Sequence, residues 1–155
     1  NGSKLTGITG ASSYGNTEVA TFLPVYSGNI TANVATFTKA AVTSTLTLGP
    51  YVETVYTGGN TGAGTVTPTM SNGPVQKFTA TGNFTLALPS GMTSGSSIVL
   101  IIRQDATGTR TCSIHSSYKF SGGSKTLSTA ASSIDIITIF YDGTDYLCNL
   151  IKAYA

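Results

Sequence analysis

The stretch Ser133 to Ile151, SIDIITIFYDGTDYLCNLI, constrains what this chain can fold into more than any other. Asp142-Gly143 is a turn signal, because Asp and Gly tolerate the positive φ angles of a type I′ hairpin turn. The pattern predicts two antiparallel strands. With an even number of loop residues, two or four, Ile137, Ile139 and Tyr141 share a face with Tyr146, Cys148 and Leu150, since directly paired residues point the same way. That face is almost wholly apolar. The opposite face holds Ile134, Ile136, Phe140, Leu147 and Ile151, with Thr138, Asp145 and Asn149 among them, so it too calls for cover. A strand pair of this kind belongs in the middle of a structure. Ile98 to Ile102, IVLII, is also apolar on both faces and is expected to lie centrally.

The remaining polar surface is made mostly without charge. Charged residues are 9% of the chain, against a usual value of about 25%, and 27 Thr and 18 Ser take their place. Thr suits the exposed faces of strands. The eight basic residues are scattered and the net charge is +2, which argues against a nucleic-acid surface. The longest apolar run, Ile98 to Ile102, is far short of the ~18 residues that a membrane-spanning helix needs, so no membrane insertion is expected.

Along the chain, Asn16 to Leu23 is the best helix candidate: Asn16 or Thr17 can cap it, Glu18 suits its first turn, and Pro24 stops it. Such a short helix is unstable alone, so Val19, Phe22 and Leu23 must pack on a partner. Residues 1–57 are expected to form an extended segment that carries this helix at 16–23. Residues 58–65, rich in Gly, are expected to be a linker. Beyond it, short apolar runs at Val66 to Met70, Val75 to Ala80, Phe84 to Leu88, Ile98 to Gln104 and Arg110 to His115 alternate with turn signals such as Ser71-Asn-Gly-Pro74. Strands at that spacing predict a mainly β fold, an antiparallel β-sandwich or jelly roll over residues 66–155.

Reactive constellations are sparse. His115 is the single histidine, and neither Cys112 nor Cys148 has a second histidine or an obvious base near it in sequence to make a nucleophile pair. The two cysteines read as free core thiols, with a bridge between neighbouring strands left open. Of the six carboxylates, Glu18, Glu53, Asp105, Asp135, Asp142 and Asp145, no pair stands out as an acid and base opposed across a cleft. Asp142 and Asp145 flank a turn, where they are favoured for backbone reasons. Their spacing to Asp105 resembles no calcium loop, and Gly58 to Gly64 lacks the Gly-Lys-Ser/Thr ending of a phosphate loop. Asp135, among Ile134, Ile136 and Ile137, is a carboxylate headed for burial, so Arg103 or Arg110 is expected to pair with it. Tyr118, Phe120, Tyr141, Tyr146 and Tyr154 suit sugar or protein contact, or core packing. No catalytic residue, cofactor or metal ligand is expected, and the protein reads as a non-enzyme.

Several segments together are similar to one family. FTATGNFTLALPSGM, LIIRQDATGTRT, YKFSGG and IDIITIFYDGTDYL, within Val75 to Tyr154, resemble a recurrent C-terminal domain of bacteriophage virion proteins, especially tail fibres and other appendages of marine phages. The opening NGSKLTGI, Asn1 to Ile8, resembles a motif of trimeric fibre stalks, and YGNTEVATFL, Tyr14 to Leu23, resembles the segment that often follows it. The resemblance implies a virion structural protein, assembled in the bacterial cytoplasm: a homotrimeric tail fibre or appendage subunit for attachment to a host surface glycan or protein. It also implies that residues 1–57 are an attachment and trimerisation segment that joins other virion proteins. A capsid decoration or head-fibre protein is the alternative.

Overall fold

The computed structural model describes residues 49–154 with Ser44, Thr45 and Thr47. The chain divides into two compact units, Asn1–Thr47 and Leu48–Ala155, and among the described residues every strand lies in the second. The helix expected at 16–23 lies outside the described residues.

Three successive coils each lay down one long and one short strand. They are β1 (Val55–Asn60) with β2 (Thr65–Val66), β3 (Val75–Ala80) with β4 (Phe84–Leu86), and β5 (Ser96–Gln104) with β6 (Cys112–Ile114). The long strands stack in parallel as β1-β3-β5 and the short ones as β2-β4-β6. Val55 pairs with Val75 and Thr65 with Thr85, so the first coil repeats after 20 residues in both sheets. The chain then closes with β7 (Tyr118–Phe120), β8 (Ile134–Tyr141) and β9 (Tyr146–Tyr154). β8 runs antiparallel to β5 and β9 antiparallel to β8, while β7 joins β9 in parallel, completing a sheet of order β1-β3-β5-β8-β9-β7.

The fold is therefore a β-solenoid of about four turns with mostly parallel strands, and the expected antiparallel sandwich is overturned. The turn signals are real, but they do a different job. Thr81-Gly-Asn83 carries the chain from the long sheet into the short one, and Ser71 to Pro74 carries it back, so neither reverses a strand onto its neighbour. Two parallel strands need a connection of a dozen or more residues, and here the short strand of the other sheet supplies it. Short runs between turns look the same in either arrangement. No α-helix occurs among the described residues; two 3₁₀ turns, Met70–Asn72 and Ser121–Gly123, lie at corners.

Residues 58–65, expected to link two parts, hold the end of β1, a turn and the start of β2. Their glycines serve the corner: Gly59 and Gly62 have φ of 75° and 56°, in the left-handed region where a side chain is disfavoured.

The core lies between the two sheets. Ile98, Leu100 and Ile102 of β5 point into it, opposite Phe84 and Leu86 of β4 and flanked by Ile137 and Ile139 of β8. The hairpin register follows the expected one: Ile137 opposes Leu150, Ile139 opposes Cys148 and Tyr141 opposes Tyr146, across the four-residue loop 142–145. Only Gly143 in that loop has a positive φ, 106°, so it is not a two-residue type I′ turn. Asp142 instead accepts from the Thr144 and Asp145 amides at 2.8 and 2.7 Å.

Candidate functional site

Buried Gln76, Ala80, Leu100, Ile102, Asp135 and Ile137 fix which side of each long strand faces the core. Alternation then sends Val99, Ile101, Ile134, Ile136, Phe140, Leu147, Ile151 and Tyr154 to the other side. They form cross-strand rows, because Ile101 opposes Ile136, which opposes Ile151, and Phe140 opposes Leu147. Phe140 is 42%, Leu147 43%, Ile151 51% and Tyr154 46% exposed. Parallel sheets are ordinarily covered on both faces, and a contiguous apolar patch on water marks an interaction surface. This outward face of the six-stranded sheet is the candidate site.

Its far corner is held by Asp135. The carboxylate is buried, and it accepts from the Ser128 amide at 2.5 Å and the Ala153 amide at 2.8 Å. The Ala153 contact draws in a β9 residue with φ of 61°, where the β8–β9 register slips and Tyr154 is placed opposite Ile134. The expected partners of Asp135 are engaged elsewhere. Arg110 donates from Nε and Nη2 to one oxygen of Asp105, at 3.1 and 2.9 Å, and Arg103 donates to the Ser132 carbonyl at 3.4 Å. Backbone amides satisfy the buried charge in place of a guanidinium, and nothing in the residue pattern around Asp135 announces them.

The aromatic residues divide. Tyr118 and Phe120 are core, the Tyr118 hydroxyl donating to the Ala87 carbonyl at 2.7 Å. Burial pushes the Tyr118 hydroxyl pKa well above its ordinary value of 10.0. Tyr141 and Tyr146 stack on each other with ring centres 4.6 Å apart, and Tyr146 meets Tyr118 edge-on at 5.9 Å. Tyr154 alone of the five stands at the exposed face.

The remaining candidates are not brought together. His115 is exposed and accepts from the Ser117 amide through Nδ1, and Asp145 pairs with Lys119 at 2.6 Å near the hairpin tip. Asp105 caps its own loop through the Thr107 and Gly108 amides. Arg110 holds its carboxyl below the usual carboxylate value, and the two amides add to that against the opposing effect of burial. Cys112 and Cys148 are free thiols, and burial raises each to about 12, far from a reactive thiolate. Among the described residues no cluster of three or more His, Cys, Asp or Glu could hold a metal ion. The arrangement suits contact and assembly.

A family model described as "Putative phage tail fibre C-terminal domain" matches residues 61–146, just over half of the chain. That span begins at the corner after β1 and ends at the first residue of β9. No curated protein matches.

Proposed function

Because the chain belongs to the family of phage tail fibre C-terminal domains, and is thus a structural component of the virion, we propose that it assembles as a homotrimer and presents its solenoid to the host surface for attachment. The observation that supports assembly is the uncovered outward face of the six-stranded sheet, with Phe140, Leu147, Ile151 and Tyr154 all more than two-fifths exposed. Three copies share such faces around one axis, and three weak attachment sites on one fibre then act together, since each further contact is intramolecular. The tail fibre family favours the tail over the capsid shell as the location.

Sedimentation equilibrium of the full chain tests the assembly. The expected mass is three times the 15.9 kDa of one chain, and a clean monomer at micromolar concentration overturns it. Attachment is tested separately by adding the purified protein to host cells before phage. Reduced phage adsorption is the expected result, and unchanged adsorption at saturating protein overturns it.

A further inference from the structure

The outward face changes character at its β1 edge, where it opens into a groove of about 330 Å³. That volume falls at the lower end of ligand-binding clefts, roughly 300 to 1,000 Å³. Its shape comes from β1, which carries a bulge between Thr57 and Gly59. Gly58 turns inward against the Phe78 ring, where any Cβ would overlap it, and Gly59 leaves open space where its own Cβ would stand. Bulges of this kind re-aim the strand and interrupt an otherwise flat surface.

Lys77 and Arg103 enter the groove from the adjacent strands β3 and β5, and Thr57 and Thr79 line it with hydroxyls. Neither cation has an ion-pair partner among the described residues. The two ion pairs among the described residues are Arg110 with Asp105 and Lys119 with Asp145. Arg103 makes one long bond, from Nη1 to the Ser132 carbonyl at 3.4 Å, so most of its donors are free for a ligand. A planar guanidinium fork beside a mobile ammonium is the donor set that recognises carboxylate, sulfate or phosphate. The threonines match a ligand that carries hydroxyls of its own.

We propose that the groove between β1, β3 and β5 binds the anionic group of an acidic polysaccharide, held by Lys77 and Arg103 with Thr57 and Thr79 on its sugar hydroxyls. The anion chemistry stands on the groove itself, while a polysaccharide as its source rests on the attachment function proposed above. The described residues of a second copy are a poor occupant. Glu53 is the one described carboxylate without a hydrogen bond or ion pair, and a single carboxylate would meet two cations and leave most of the groove empty. The groove borders the apolar rows, since Ile101 lines it and opposes Ile136, but Phe140 and Leu147 pair at the Ser97 end of β5, so a copy packed there leaves the groove open.

Surface plasmon resonance with the full chain and three polymers, polygalacturonate, dextran sulfate and neutral dextran, tests the site. Binding to an acidic polymer and not to neutral dextran is expected, and preference for polygalacturonate or dextran sulfate assigns the anion as carboxylate or sulfate. The Lys77→Ala/Arg103→Ala variant should bind at least roughly tenfold more weakly. Lys125→Ala/Lys152→Ala removes the same charge elsewhere and should leave binding within about twofold. Thr57→Trp fills the groove with both cations kept, and should weaken binding as well. No acidic polymer bound by the wild type, or equal loss in the two double variants, overturns the site. Sedimentation of the same samples separates the two proposals: a trimer that binds no acidic polymer removes the site alone, and a monomer that binds removes the trimer alone.

Discussion

Thr61 and Thr81 stand at the same corner of successive coils, and the Thr81 amide donates to the Thr61 hydroxyl at 3.4 Å. The Gly62 amide donates to the Thr81 hydroxyl at 3.1 Å, so each threonine side chain accepts from the other's corner. Side-chain acceptors of this kind satisfy backbone amides that a corner takes out of the strand ladder.

The close stacking at that corner predicts intolerance at Gly82. A Cβ there would stand 2.6 Å from the Gly62 carbonyl oxygen and 2.7 Å from its carbon, both backbone atoms. Gly82→Ala should therefore destabilise the domain by about 1–3 kcal/mol, as overpacking does. Urea unfolding checks it; an unchanged midpoint would show that the two coils separate at little cost.

Asp135 should be among the most sensitive polar positions. Asp135→Ala leaves the Ser128 and Ala153 amides without their acceptor in a buried setting, for a loss of about 2–4 kcal/mol. Asp135→Asn keeps the shape but presents one NH₂ where an acceptor is needed, and should fall between the two. Chemical denaturation of the three proteins gives the order.

Acid should weaken the fold through Asp105 and Asp142. Both carboxyls lie below their ordinary value of 3.8, Asp105 chiefly through its hydrogen bond from Arg110 and Asp142 chiefly through the Asp145 and Thr144 amides. A folded-state pKa below the unfolded one gives stability that is present above the unfolded value and is lost as pH falls through the folded value. Urea midpoints should hold steady from neutral pH down to about pH 5 and then decline. In Asp105→Asn the decline should be shallower, and an identical slope would exclude the Asp105 contribution.

The thiols should be inert in the folded protein. With both raised to about 12, Cys112 and Cys148 carry almost no thiolate near neutrality. A disulfide-exchange reagent such as Ellman's should label neither within minutes at about pH 8, and both once the protein is unfolded in denaturant. Prompt labelling of the native protein would contradict the burial of Cys148 and the partial burial of Cys112.

The apolar face should govern assembly. Phe140→Lys combined with Ile151→Lys places two charges on the outward rows while the inward face is untouched. Sedimentation should give a monomer with an unfolding midpoint for the domain close to that of the wild type measured below its association range. A trimer that survives both charges would place the interface elsewhere.

Much of the local structure was legible along the chain. Alternation at Phe84 to Leu86 assigns the buried side of that strand, the apolar face with Ile137 and Ile139 is the one the core takes, and the register at Ile139 and Cys148 follows from an even loop; Ile98 to Ile102, apolar on both faces, assigns neither side. The residues also carry an internal repeat. Thr61-Gly62 before Thr65-Val66 recurs as Thr81-Gly82 before Thr85-Leu86, a shift of 20 residues. A repeat at that period is the mark of a solenoid, where turns at shorter intervals suggest hairpins.

The residues by themselves thus determined the runs that hold β3, β4, β5 and β6 and the closing hairpin with its apolar outer side, while the end of β1 read as linker and β7 went unmarked. Strand pairing was decided by the tertiary structure alone. A corner such as Thr81 to Asn83 is compatible with reversal or with passage into a second sheet, and the choice depends on which neighbour completes the core around Leu86 and Leu100. Asp135 was settled the same way. Its isoleucine neighbours foretell burial, but the amides that hold it come from Ser128 and Ala153, 7 and 18 residues away, and only the folded path of the chain brings them to one carboxylate.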